Sequence, residues 1–155
     1  MDGSNKGYQI LTNTIGIILI MLFVYTASNK FLDFEHFKAQ LTGFPFIASY
    51  ANWIAWAVPL TELIIAVLFL FPKHKLTAFY MSLLLLLVFT TYIIVILNIS
   101  DSIPCSCGGI LSTLGWKEHI IFNCVFIALS LTGILSIKVH KTKTLRSDRD
   151  KAENL

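Results

Sequence analysis

An all-α integral membrane fold, an up-down four-helix bundle with a short amphipathic outer-interface helix, follows from three features of this chain. Of its 155 residues 55% are hydrophobic and 14% charged, an apolar share above and a charge share below those of soluble domains. The mean hydropathy is +0.72. The apolar residues gather into four long runs, and Lys and Arg gather at the chain ends and in one short turn rather than over a face. That placement fits membrane topology and argues against a nucleic-acid partner. With most of such a chain in lipid, no separate soluble catalytic module has room to fold.

A spanning helix needs about 20 mostly apolar residues. The runs that qualify are 10–28, 53–71, 76–98 and 119–137. In the first, Thr12, Asn13, Thr14 and Gly16 dilute the apolar pattern, and no small-x-small cleavage site precedes Lys30, so it is expected to stay as a helix. Between the first two spans, Phe31, Phe34, Phe37 and Leu41 recur at near-helical spacing with Glu35, Lys38 and Gln40 among them. Asp33 would cap this short helix, and Gly43-Phe44-Pro45 would stop it. Tyr50, Trp53 and Trp56 then form an aromatic belt where the second span enters. Residues 138–155 are charged, lack aromatics and are expected to be a frayed cytoplasmic tail.

Orientation follows from the basic residues of the short loops. Pro72-Lys73-His74-Lys75 and the tail with Lys138, Lys141, Lys143, Arg146, Arg149 and Lys151 belong in the cytoplasm. An even number of spans places the N-terminus there too, and leaves Asn29–Asn52 and Ile99–Glu118 outside.

The stretch Ile103-Pro104-Cys105-Ser106-Cys107-Gly108-Gly109 carries the clearest chemistry. A disulfide needs its Cα atoms within roughly 4.4–6.8 Å, which residues one apart reach only in a tight, strained ring. Strained disulfides are the easily reduced ones. Pro104 and the two glycines supply a turn and let a partner's backbone approach. The expectation is a redox-active dithiol facing an oxidising compartment. A metal site using Cys105, Cys107 and His119, and an inert structural disulfide, are the competing readings, the metal one short of ligands. Cys105 is the favoured attacking thiol, since it follows the proline and should be the more exposed. Cys124 falls within the fourth span and reads as a small buried hydrophobe.

Three further residues are singled out. His119 beside Lys117, and Lys30 at the outer end of the first span, are cations or near-cations that would lower a nearby thiol's pKa, or else anchor at the interface. Glu62 stands in the middle of an apolar span, where a carboxylate costs about 2.5–3.5 kcal/mol on the insertion scale. It would relay a proton or hold a quinone head group, or else pin the bundle by pairing with Asn123, Tyr92 or Asn98. Pro59, one turn earlier, opens the backbone ladder there.

Ser28-Asn29-Lys30-Phe31-Leu32-Asp33 leading to Phe37, Pro59-x-x-Glu62-Leu63, and Cys105-x-Cys107 with Trp116 before the last span together resemble the MauE family, within the DoxX-like group of small four-helix membrane proteins. The resemblance implies a bacterial inner-membrane protein linked to disulfide formation in exported proteins, beside a periplasmic thioredoxin-like or substrate partner. The group is also similar to quinone-coupled disulfide-generating enzymes, which makes a quinone the one cofactor the resemblance suggests. Those enzymes relay electrons through a Cys-x-x-Cys and a second pair; this chain has neither, and it carries Gly108 where the family often has an aromatic.

The expected function is therefore membrane-anchored thiol–disulfide exchange, with Cys105 and Cys107 as the reacting pair and His119, Lys30, Glu62 and Trp116 in support. The alternative is a non-catalytic subunit that scaffolds other membrane subunits through Gly16, Ala27 and Gly133, small residues that permit close helix contact.

Overall fold

The computed structural model describes residues 2–43, 47–99 and 116–153. Within them the chain forms α1 (Asp2–Leu32), α2 (Phe34–Thr42), α3 (Ala51–Leu70), α4 (Lys75–Ile99) and α5 (Trp116–Glu153), with single 3-10 turns at Ala48–Tyr50 and Pro72–His74. No strand occurs among the described residues. Four segments are long and apolar enough to cross a membrane: Lys6–Leu32, Ala48–Leu70, Pro72–Val95 and Glu118–Ser147. The protein is an all-α, multi-pass membrane bundle.

The core is built from one stripe of each long helix. Ile15, Leu19 and Phe23 of α1 meet Ile65, Ala66 and Phe69 of α3, Ala78 and Phe79 of α4, and Ile134 of α5. The four-residue spacing along α1, continued by Ala27, keeps these side chains on one face of a helix with 3.6 residues per turn. The other faces expose Ile17, Met21, Val67, Leu84 and Leu135, the pattern of helices whose surroundings are lipid. Phe69 and Phe79 meet edge to face with centroids 4.9 Å apart. Gly133 of α5 lies directly over the Phe79 ring, where an added Cβ would come within 2.3 Å of a ring carbon. Only glycine lets α4 and α5 approach so closely at this level.

The polar residues that interrupt the first span have partners. Thr12, 2% exposed, donates to the Tyr8 carbonyl at 3.0 Å. Asn13 accepts a hydrogen bond from the Lys75 ammonium at the start of α4. The helix begins well before Ile10 in consequence.

Residues 138–153 do not fray as the sequence led us to expect. They continue α5 without a break, because the stretch contains neither Pro nor Gly and because Tyr8 of α1 stacks on His140 at 4.2 Å and 12°. Both ends of the chain and the α3–α4 turn thus lie at one end of the bundle, called here the basic end. The end of α4, the start of α5 and α2 lie at the other.

α2 forms over nearly the span the apolar spacing predicts. Asp33 interrupts the helix with φ −123° and ψ 51° and no side-chain cap. The bonds from Asp33 N–H to the Asn29 carbonyl (3.2 Å) and from Phe37 N–H to the Asp33 carbonyl (2.9 Å) bridge the break. The Phe34 ring lies 4.7 Å from that of Trp56, and Leu41 packs with Ala51 and Ala55, so α2 follows α3 in the opposite direction. Tyr50, Trp53 and Trp56 are 64%, 78% and 50% exposed, which is the aromatic belt expected at the entry of this span.

Candidate functional site

The feature that stands out in the interior is an ion pair. Lys30, in the last turn of α1, donates to both oxygens of Glu62 in α3, at 2.8 and 3.1 Å. Glu62 is only 4% exposed. The Thr26 side chain, one turn before Lys30, lies against the same carboxylate, and the Phe37 ring of α2 sits 5.8 Å from the ammonium.

Local sequence explains why the two charges meet. α2 continues past Asp33 along α3, and Phe31 near the end of α1 lies 5.9 Å from the Trp56 ring, so α1 ends beside the aromatic residues and Lys30 extends along α3 to Glu62. Glu62 is six residues beyond Trp56, about 9 Å along the helix at about 1.5 Å per residue. Pro59, fully buried one turn before Glu62, has no N–H to offer the Ala55 carbonyl. At this depth a lone carboxylate or ammonium is costly, and each charge offsets the other's desolvation.

Glu62 is therefore paired, as a buried carboxylate should be, but its partner is Lys30 rather than Asn123, Tyr92 or Asn98. Asn98 is exposed and donates to the Ile94 carbonyl at 2.7 Å. Both oxygens of Glu62 accept from Lys30, and as the ionised half of this pair the carboxylate has no proton to donate to a quinone carbonyl. The same bonds occupy the charge of Lys30, which was expected to act on a thiol.

His119, half-buried in the first turn of α5, lies within electrostatic reach of Lys30. One turn deeper, Asn123 is 5% exposed, and its Nδ2 has no partner among the described residues. Asn29 Nδ2, beside Lys30, and Gln40 Nε2, one turn after Phe37, are likewise buried donors without acceptors. Lys30 thus joins Glu62 of α3 and His119 of α5 at the end of the bundle opposite the basic end, with the buried amide of Asn123 one turn deeper on α5. Asn123 was named in the sequence as a possible partner of Glu62, whereas Asn29 and Gln40 were not singled out; their signal is the recurrence of Asn and Gln near spans that are otherwise apolar.

Cys105 and Cys107 lie outside the described residues. The helices on either side of their segment end and begin, at Ile99 and Trp116, at this same polar end. Trp116 opens α5, and its side chain is also outside the description. Among the described residues no group of three or more His, Cys, Asp or Glu is placed to hold a metal ion. Cys124 was expected to be buried and is instead free and exposed. With Asn123 facing inward, the next residue is turned by about 100° onto the lipid side.

Fold and interior together define a small polytopic helical membrane protein with a charged pair locked between two of its spans. The chain belongs to the MauE family: the family described as Methylamine utilisation protein MauE matches residues 8–136. No curated protein and no solved structure matches it.

Proposed function

We propose that this chain is a membrane-anchored thiol–disulfide redox protein of the bacterial inner membrane, with both termini cytoplasmic and Cys105 and Cys107 periplasmic. The observation that carries the reading is the Pro104-Cys105-Ser106-Cys107-Gly108 sequence itself. Two thiols at this spacing close only into a strained, readily reduced ring. The orientation rests on the basic end, where Lys73, Lys75, Lys138 and Lys141 would face the cytoplasm.

In the exchange, the thiolate of Cys105 attacks one sulfur of a partner's disulfide. That S–S bond breaks, and the released partner thiolate takes up a proton. Cys107, losing its own proton, then attacks Cys105 in the mixed disulfide. The products are the partner's dithiol and the Cys105–Cys107 disulfide, with two electrons passed to the partner; the reverse sequence oxidises it. His119, in the first turn of α5 after the cysteine segment, would favour the thiolate. A periplasmic thioredoxin-like protein, or an exported substrate, is the partner such chemistry suits.

The test is thiol trapping in intact cells with a membrane-impermeant maleimide, with and without prior reduction. Labelling of Cys105 and Cys107 only after reduction is expected, and either Cys→Ser variant should abolish exchange with a thioredoxin-like protein. Full exchange by both single variants would sink the reading. A scaffolding subunit remains the second reading, favoured by the exposed Tyr50 and Trp53. Its small-residue argument is weakened, because Ala27 and Gly133 are occupied inside the bundle.

A further inference from the structure

We infer that the basic end of the α4–α5 pair is a binding site for the phosphate of an anionic phospholipid, with one acyl chain lying along the exposed leucines of α5 beneath it. This does not rest on the thiol chemistry, and it uses the opposite end of the molecule.

The observation that starts the argument is the place of Lys138. Its ammonium lies 5.4 Å from the centre of the Tyr80 ring, so a cation of α5 is held over α4 at the level where an aromatic side chain meets the edge of the apolar layer. Lys141 follows one turn later, and Lys73 stands in the turn that precedes α4; all three are exposed. Among the described residues none of them is paired with a carboxylate, and the acidic residue nearest in sequence on α5 is Asp148. Among the described residues the charge at this corner is therefore uncompensated.

What lies under the cations decides the kind of anion. Leu131, Leu135 and Lys138 are spaced by four and by three, so they share one face of α5 with the charge one turn above the leucines. Leu131 is 43% and Leu135 60% exposed, and Tyr80, under the Lys138 ammonium, is 41% exposed. A soluble phosphate would use the lysines alone. A lipid uses both parts, with its phosphate oxygens on the ammonium groups and its chain on the leucine track below. Cations at a membrane boundary attract anionic lipids through this charge complementarity.

The experiment is native mass spectrometry of the full chain released from micelles containing equal amounts of phosphatidylglycerol and phosphatidylcholine. The wild type should retain phosphatidylglycerol several-fold over phosphatidylcholine. The triple variant K73Q/K138Q/K141Q should bind the two lipids about equally, whereas K138R/K141R should keep the preference, because the site reads charge. Circular dichroism of each variant confirms that it is folded, since all three positions are exposed. No preference in the wild type, or an unchanged preference in the triple variant, overturns the proposal. Displacement of the retained lipid by inorganic phosphate at matched concentration would overturn it too, by showing that the acyl chain contributes nothing.

Discussion

Glu62 and Lys30 show what one residue's surroundings do to its energetics. Breaking a buried pair leaves the other charge uncompensated, so Lys30→Met is expected to cost about 3–5 kcal/mol of bundle stability. The double variant Lys30→Met, Glu62→Met should recover most of that loss. Unfolding in mixed detergent micelles measures both, and an unchanged Lys30→Met protein would show that the pair contributes nothing. Gly133→Ala offers a contrast of a different kind. Its methyl would overlap the Phe79 ring, which is fully buried and edge-on to Phe69, and overpacking of this sort costs about 1–3 kcal/mol. Gly16→Ala should be near neutral in the same assay, since its Cβ would stand 3.4 Å from Phe69, an ordinary contact. At this scale the sequence announced Glu62 through its chemistry, because a carboxylate amid apolar residues needs a partner. It did not announce Lys30 as that partner, since the depth of the end of α1 depends on how α2 folds along α3.

At the scale of elements, the apolar runs located all four spans, and the Phe31, Phe34, Phe37 and Leu41 spacing located α2. The helices α1 and α5 run beyond the apolar runs 10–28 and 119–137 for one reason. Hydropathy marks where a helix meets lipid, whereas the helix itself stops only where backbone or capping residues stop it. α5 has 38 residues, about 57 Å of helix, against about 30 Å of hydrocarbon. Much of it therefore stands beyond the bilayer, steadied by the stack of Tyr8 on His140. Replacing His140 by Ala should let this extension fray, and limited trypsin digestion should then cut after Lys141, Lys143 and Arg146 several-fold faster than in the wild type. Equal cleavage rates would mean that the stack does not hold the extension.

For the whole molecule, the decisive property is which end faces which compartment. Alkaline phosphatase, active only outside the cytoplasm, should be active when fused after Asp101 and inactive when fused after Lys143. The reverse pattern would put Cys105 and Cys107 in a reducing compartment, where such a disulfide does not persist. The fold class was legible because four apolar runs in so short a chain admit few arrangements. The association of His119, Asn123 and Lys30 was not, because it joins α1 to α5 across the bundle, and no local pattern encodes which faces of distant helices will meet.

The Lys30–Glu62 pair also bears on how the chain is made. The two residues are 32 positions apart, and synthesis adds about 5–20 residues per second, so Lys30 exists for about 2–6 s before Glu62 has been polymerised. During that interval a first helix already in the bilayer would carry an uncompensated ammonium, a costly charge at depth. The pair is therefore expected to form only when α3 arrives with the carboxylate. On this account a later segment would fix where an earlier one comes to rest, and Glu62→Gln should leave the end of α1 more accessible to water-soluble thiol reagents at a cysteine placed there.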